Sequence, residues 1–321
     1  MPTSIAQDAV LAAVTAGGGR PAVATARARR MGNRFTMTVV GAGADEARKA
    51  LSLARRLDRL WSRFRADSDI TALNLAEGAA RRVHPLTVRL VREMLDAYHR
   101  TDGDFDPTLL PALVAAGYAA SRVDPELTTS LPPSAVAPGR VDSVRVDGER
   151  ITLGRGTTLD PGGIGKGLAA DLAVEQALAG GALGAMAEFG GDVVVGGVAP
   201  DGVAWRIGVE DPFDPARHLA TIRLARGAVA TSSQRKLRWA AADGTDTHHL
   251  LDPRGIRSIS TDVQTVTVIA ATGARAESLT KPGFLRPIDE YLAWLPSQGA
   301  AGLAVTADGA EHVSENWSRY R

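Results

Sequence analysis

The chain has 321 residues, enough to bury a substantial core as one large domain or two lobes of ordinary size. Its 37 Lys and Arg against 36 Asp and Glu leave a formal charge of +1, so no polybasic field exists to hold nucleic acid or an anionic membrane surface. The absence of cysteine excludes disulfides, thiolate metal sites, a Cys nucleophile and a lipidated Cys.

Residues 1 to 30 read as a loosely ordered Ala/Gly/Arg tail. The short apolar stretch "DAVLAAVTA" has no basic start ahead of it and is too interrupted for a signal core or a membrane span, so a cytoplasmic protein without a membrane anchor is the expectation. From Met31 to Arg321 the text is that of a folded domain, as one body or as two lobes. "RFTMTVVGAG" alternates and is β-branched, a strand, and Ala47, Leu51, Ala54, Leu57 and Trp61 then recur at helical spacing. Pro85 opens a second helix that stops at "DGDFDPT", and the proline-rich stretch from Asp124 to Arg140 is a surface connection. "SVRVDGERITL" predicts two short strands around an Asp147-Gly148 hairpin turn. Beyond it, "GKGLAADLAVEQALAGG" reads as a helix ended by glycine. "AMAEFGGDVVVGGV", "AWRIGVEDP", "LATIRLARGAVATSS" and "QTVTVIAAT" are strand-like, and "RAESLTKPGFL" and "IDEYLAWLPSQG" are wholly or partly helical. Paired strands with intervening helices indicate an α+β (mixed α/β) protein more than a regular βαβ winding.

"DPGGIGKGLAAD", Asp160 to Asp171, places four glycines and a lysine where a helix begins. A turn of this kind presents unpaired N–H groups at the positive end of a helix dipole, which suits phosphate or pyrophosphate. It is not a P-loop, because Gly167 and not Ser or Thr follows Lys166. "GKGLAA" meets the dinucleotide pattern loosely, with Ala170 last and Glu188 about 20 residues on. The alternative is a tight turn whose glycines only let neighbouring elements pack closely.

The sequence resembles one family over almost its whole length, the ApbE-type flavin transferases. The motifs appear in order: "MGNRF" at Met31, "LWSRFRADSDITALN" at Leu60, "DGDFDPTLLPAL" at Asp102, "LDPGGIGKGLAADLA" at Leu159, "AEFGGDVVVGG" at Ala187, "AVATSSQ" at Ala228, "HHLLDPRG" at His248 and "TVTVIAATGARAESLTK" at Thr265. The resemblance implies an ApbE-like, T-fold type architecture of antiparallel or mixed sheets with packed helices. The activity it implies divides the pyrophosphate of FAD and attaches FMN through a phosphoester to a Ser or Thr of an acceptor flavoprotein, releasing AMP.

Carried over motif by motif, the resemblance sets Met31 against the flavin ring and Phe64 at an aromatic stacking position. It assigns Asp104, Phe105 and Asp106 to the segment lining the nucleotide, Asp160 and Lys166 to cofactor contacts of the glycine-rich turn, and Leu251 to a main-chain contact. Thr231 and Ser232 match a "TS" pair facing the phosphates. His249 matches the group that handles the acceptor's proton, a role its intrinsic pKa suits, and Asp252 either orients it or initiates an Asp-Pro turn. Lys166 is one of four lysines in the chain, and a compact ammonium beside pyrophosphate is physically apt.

The sequence departs from the family at the Mg²⁺ site. There Glu277 replaces an Asp and Lys281 a Thr, leaving Gly163 (main chain), Glu277 and Thr280 as candidate ligands. A protonated Lys281 is no metal ligand; it either pairs with Glu277 or meets the pyrophosphate directly. Three other outcomes stand beside transfer: hydrolysis of FAD to FMN and AMP, a non-catalytic FAD-binding module, and a nicotinamide oxidoreductase built on "GKGLAA".

Overall fold

The computed structural model describes residues 21–30, 33–240, 244 and 246–321. Eight of its strands form one sheet: β1 Val23–Arg30, β2 Asn33–Val40, β3 Gly184–Phe189, β4 Asp192–Gly197, β5 Gly227–Ser233, β6 Val263–Ala270, β7 Ala301–Thr306 and β8 Glu311–Val313. Their order across the sheet is their order along the chain, and every neighbouring pair is antiparallel. The result is an α+β protein. An antiparallel meander offers no parallel crossover for a dinucleotide, which removes the nicotinamide oxidoreductase reading. Glu188, its ribose candidate, instead pairs with Arg34 at 3.3 Å.

Residues 23–30 correct the sequence expectation of a tail reaching residue 30. β1 pairs with β2 along its whole length, Val23 opposite Val40 and Arg30 opposite Asn33. Residues 1–20 lie outside the described residues.

Between β2 and β3 the chain leaves the sheet and builds the helices α1 Ala44–Trp61, α2 Asp69–Asn74, α3 Pro85–Arg100, α4 Leu110–Ala115 and α5 Gly165–Ala179. α6 Gly273–Leu279 and α7 Ile288–Trp294 lie between β6 and β7. α1 buries Ala47, Ala50, Leu51, Ala54, Leu57 and Trp61, the stripe its periodicity demands. α5 is mostly buried, as befits a helix covered by sheet on one side and by α1 and α6 on others, with Glu175 left exposed to pair with Arg89.

Strand alternation divides the apolar residues between two cores. Phe35, Met37, Phe189, Val194, Ala230 and Val268 meet α1, α5 and α6, with Phe35 and Phe189 stacked at 4.3 Å. Val193, Val195, Val229, Ile269 and Leu303 face the other way, under a hairpin formed by Trp205–Glu210 and His218–Leu224 and under Trp317.

Two close approaches fix the site. β3 and β4 are joined by Gly190 and Gly191, both at positive φ (67° and 97°), the geometry a two-residue antiparallel turn requires. α5 and α6 touch backbone to backbone: a Cβ on Gly167 would lie 2.2 Å from the Gly273 carbonyl oxygen. Gly167→Ala is therefore expected to lower the unfolding free energy by about 1–3 kcal/mol or more, as overpacking does. Urea denaturation checks this, and an unchanged midpoint would contradict the contact.

The same crossing is fastened by Asp171 of α5. Its carboxylate accepts the N–H groups of Gly273 (2.6 Å) and Ala274 (3.0 Å) at the start of α6. Burial pushes its pKa from the ordinary 3.8 up to about 7, against the opposing pull of those two N–H groups. Between these values the native state binds a proton that the unfolded chain has released, so this group makes stability fall as pH rises from 3.8 to about 7 and leaves it level above. Thermal melts of wild type and Asp171→Asn across that range check the sign: the variant should lack this downward slope.

Candidate active site

The glycine-rich stretch folds as a single 3₁₀ turn, Pro161–Gly163, running directly into α5. Lys166 therefore stands in the first turn of α5, at the positive end of the helix. Its ammonium lies between two carboxylates with almost no solvent exposure: Asp192, the residue after the Gly190-Gly191 turn, and Glu277, one turn into α6, whose Oε1 is 2.8 Å away. The other Glu277 oxygen accepts the Gly167 N–H at 2.8 Å. Burial works against the charge on Lys166, but Asp192 and Glu277 outweigh it and raise its pKa well above the usual lysine range.

Lys281, just past α6, completes the group. Its ammonium donates to the main-chain oxygen of Glu277 at 2.9 Å and to Ser232 Oγ at 3.3 Å. No carboxylate lies within ion-pair distance of it among the described residues. Burial and the neighbouring charge of Lys166 lower its pKa to about 8. Ser232 also meets Thr280 Oγ1 at 2.7 Å, and Thr280 Oγ1 donates to the Glu277 carbonyl at 2.7 Å. Gly163 is pressed between the buried ring of Phe105 and the Lys281 stem, for a Cβ there would lie 3.0 Å from Phe105 Cε2 and 3.2 Å from Lys281 Cε. Gly163, Lys166, Ser232, Glu277, Thr280, Lys281 and Phe105 thus come together from four separate stretches of sequence. Lys166 and Lys281 are both half-buried, open to solvent on one side.

This donor set does not fit Mg²⁺, which wants near-octahedral hard oxygen ligands. Both carboxylate oxygens of Glu277 are engaged by an ammonium and an N–H, the Thr280 hydroxyl is turned to a carbonyl, and a second ammonium stands where a cation would sit. Among the described residues, no group of three or more His, Asp or Glu is placed to hold a metal ion. The metal-ligand assignment of Gly163, Glu277 and Thr280 is corrected accordingly.

His249 is half-buried, and its Nδ1 is buried without a hydrogen-bond partner. Burial, reinforced by Lys281, then His248, then Lys166, outweighs a backbone hydrogen bond with Leu237 and pushes its pKa down to about 3, so the imidazole is neutral. His248, next to it, is tied into the fold: its Nε2 lies 3.0 Å from the Ile259 carbonyl. Asp252 takes the turn role. Its Oδ1 accepts the Arg254 N–H at 2.9 Å within the hairpin Leu251–Asp252 and Arg257–Ser258, the turn contact of an Asp-Pro turn. Leu251 packs with Leu109, Ala112 and Leu113 and fastens this hairpin to α4.

Thr231 is also corrected. Strand alternation sends Ser232 toward the lysines and Thr231 to the opposite face, where its hydroxyl meets Thr267 Oγ1 at 2.9 Å. Asp106 accepts the Thr108 N–H and hydroxyl on Oδ1, at 2.7 and 2.6 Å. Asp104 is held between Arg254 Nη1, at 2.8 Å, and Arg286, linking the "DFDP" turn to the "HHLLDPRG" hairpin. Asp160 accepts the Gly162 N–H at 3.3 Å and lies 3.5 Å from the buried guanidinium of Arg63. That guanidinium covers the Phe64 ring at 4.2 Å and the Tyr118 ring at 4.6 Å. Met31 lies outside the described residues.

Sheet, central helix and charged cluster define an α+β protein whose candidate site lies where a glycine-rich turn enters a helix N-terminus. The model of the ApbE family matches residues 31–304, and the chain belongs to that family. It is similar to the FAD:protein FMN transferase of Rhodobacter capsulatus, 27% identical over 275 residues, 83% of this chain and 52% of that protein; the chain spans about half that relative's length. The FAD:protein FMN transferase of Vibrio cholerae is 27% identical over 240 residues, 71% of each chain. The crystal structure of the ApbE protein of Thermotoga maritima superposes with a TM-score of 0.82 at 27% identity, covering 93% of this chain and 99% of that one. No helix among the described residues is long and apolar enough to cross a membrane.

Proposed function

We propose that this chain transfers FMN from FAD to a Ser or Thr hydroxyl of an acceptor protein and releases AMP. The half-buried ammonium of Lys281, with no ion-pair partner among the described residues and standing where the glycine-rich turn enters α5, is the observation that carries the reading. A diphosphate is the anion such a site suits, and relatives in the family are named for this reaction.

In the transfer, the acceptor oxygen bonds to the flavin-side phosphorus while the bond from that phosphorus to the bridging oxygen breaks. The bridging oxygen leaves with AMP. Catalysis of this kind rests on positioning and charge. Lys281 faces the phosphates, Lys166 holds the carboxylates of Asp192 and Glu277 away from them, and His249, neutral and with an unpartnered nitrogen, accepts the hydroxyl proton. The Arg63, Phe64 and Tyr118 stack and the Asp104 to Asp106 turn flank the nucleotide.

Incubating the protein with FAD, with and without a candidate acceptor carrying a Ser/Thr flavinylation segment, tests this. AMP together with FMN-labelled acceptor is the expected result. AMP with only free FMN makes water the acceptor and the chain a pyrophosphatase; bound FAD without AMP makes it a binding module.

A further inference from the structure

We infer that the ammonium of Lys281 supplies, from within the chain, the positive charge at the phosphates that a divalent cation would otherwise supply, so that FAD is bound and cleaved without Mg²⁺. The inference rests on the FAD reading above and concerns how that site is charged.

Three observations converge on it. Glu277, the carboxylate that acts most strongly on Lys281, is already engaged: Lys166 and the Gly167 N–H each take one of its two oxygens, and an ammonium already offsets its charge. Lys281 Nζ rests on the Glu277 carbonyl and the Ser232 hydroxyl, two uncharged oxygens of the kind that would help hold a hard cation. An ammonium has three N–H bonds. These two acceptors satisfy two of them and neutralise none of the charge, which leaves Lys281 equipped to pair with an incoming anionic oxygen.

Lys166 cannot take this role, since Asp192 and Glu277 already balance it. The stem of Lys281 also packs on Gly163, the last residue of the turn leading into α5, so its charge is held at the mouth of the helix. A metal bound here would stand beside an ammonium in a pocket whose only nearby acidic groups are spoken for. With Asp192 and Glu277 already paired to Lys166, nothing among the described residues offsets the repulsion between such a metal and the Lys281 ammonium.

The experiment uses the whole protein, FAD as ligand and Mg²⁺ or EDTA as the variable. FAD affinity is read by quenching of flavin fluorescence, and AMP release is followed in parallel. Wild type is expected to bind FAD equally well in EDTA and in excess Mg²⁺, and to release AMP in both. Lys281→Met should weaken FAD binding by roughly 10- to 150-fold, the worth of one hydrogen bond to a charged group, in either condition. Lys281→Arg, which keeps the charge, should recover part of that loss. Lys281→Thr, which removes the ammonium and adds a hydroxyl, is a second small variant should the Met side chain disturb packing.

Wild-type binding or AMP release that disappears in EDTA and returns with Mg²⁺ overturns the inference and leaves the transferase reading standing. Lys281→Met and Lys281→Thr both binding FAD as tightly as wild type overturns it as well. Absence of FAD binding by wild type in both conditions removes the functional reading itself, and this inference with it.

Discussion

Replacing Lys166 by methionine is expected to destabilise the fold by about 3–5 kcal/mol, the usual consequence of deleting one partner from a buried ion pair. The ammonium separates Asp192 and Glu277, whose side chains are 3% and 4% exposed. Without it, two buried carboxylates face each other with no ion-pair partner, and one can relieve the repulsion only by taking up a proton. That response fixes the sign of the pH dependence. In the variant the folded state holds a proton that the unfolded chain has lost, so the deficit is smallest in acid and grows as pH rises toward neutrality. Urea unfolding at two pH values measures both quantities. Lys166→Met combined with Asp192→Asn should recover part of the loss, because it removes one of the two stranded carboxylates and the repulsion between them. An exposed lysine gives the contrast: Lys49, 69% exposed beside Glu46, should change stability by less than about 1 kcal/mol on the same substitution. Equal effects at the two positions would mean that the cluster is solvated.

How much of this was legible beforehand depended on distance along the chain. The alternation in "RFTMTVV" and "TVTVIA" and the stripe of α1 are local signals, and each became the element its pattern implied, whereas "AMAEFGGDVVVGGV", read as one strand-like stretch, is split into two strands by the glycine pair before Asp192. β1 did not read as a strand. Its sequence, "VATARARR", is alanine and arginine, and it lies at the sheet's edge, where charged side chains guard against unwanted pairing. Only its partner β2 makes it a strand.

The site shows the same division. Motifs located Lys166 and Glu277, yet nothing local says that residues 111 apart share a hydrogen bond; that follows from the Gly167 and Gly273 contact. The carboxylates that sequence reasoning missed had faint signals of their own. Asp171 is a lone acid in the apolar run "GLAADLAV", and Asp192 opens the β-branched "DVVV". A charge at such a place is buried and must have donors waiting for it. Arg63, Arg254 and Arg286 gave no such signal in a chain rich in arginine, and only the fold brings them to Asp160 and Asp104.

The other large effect is expected at His249. His249→Ala should lower the rate of AMP release by about 10²- to 10⁴-fold, the range for a positioned general base, while FAD affinity changes little, because the imidazole is neutral and contributes no charge to anion binding. A merely structural histidine would move binding and turnover together, so the split between them is the first readout. The pH profile is the second. A histidine base must be deprotonated to work, and activity is lost as pH falls through its pKa. In the free protein that pKa is pushed down to about 3 by burial and by Lys281 and Lys166, so kcat/KM should show no histidine limb near neutrality. Bound diphosphate opposes the charge of both lysines, which raises the pKa within the complex, so the acid limb of kcat must lie at higher pH than that of kcat/KM. The bound anion sets the sign of this displacement, and the lysines contribute to its size: Lys281→Met removes the largest single positive-charge contribution and should shrink the gap from the free-protein side. A kcat/KM limb at the ordinary histidine pKa would place His249 in water, away from both lysines, and would take the proton-accepting role from it.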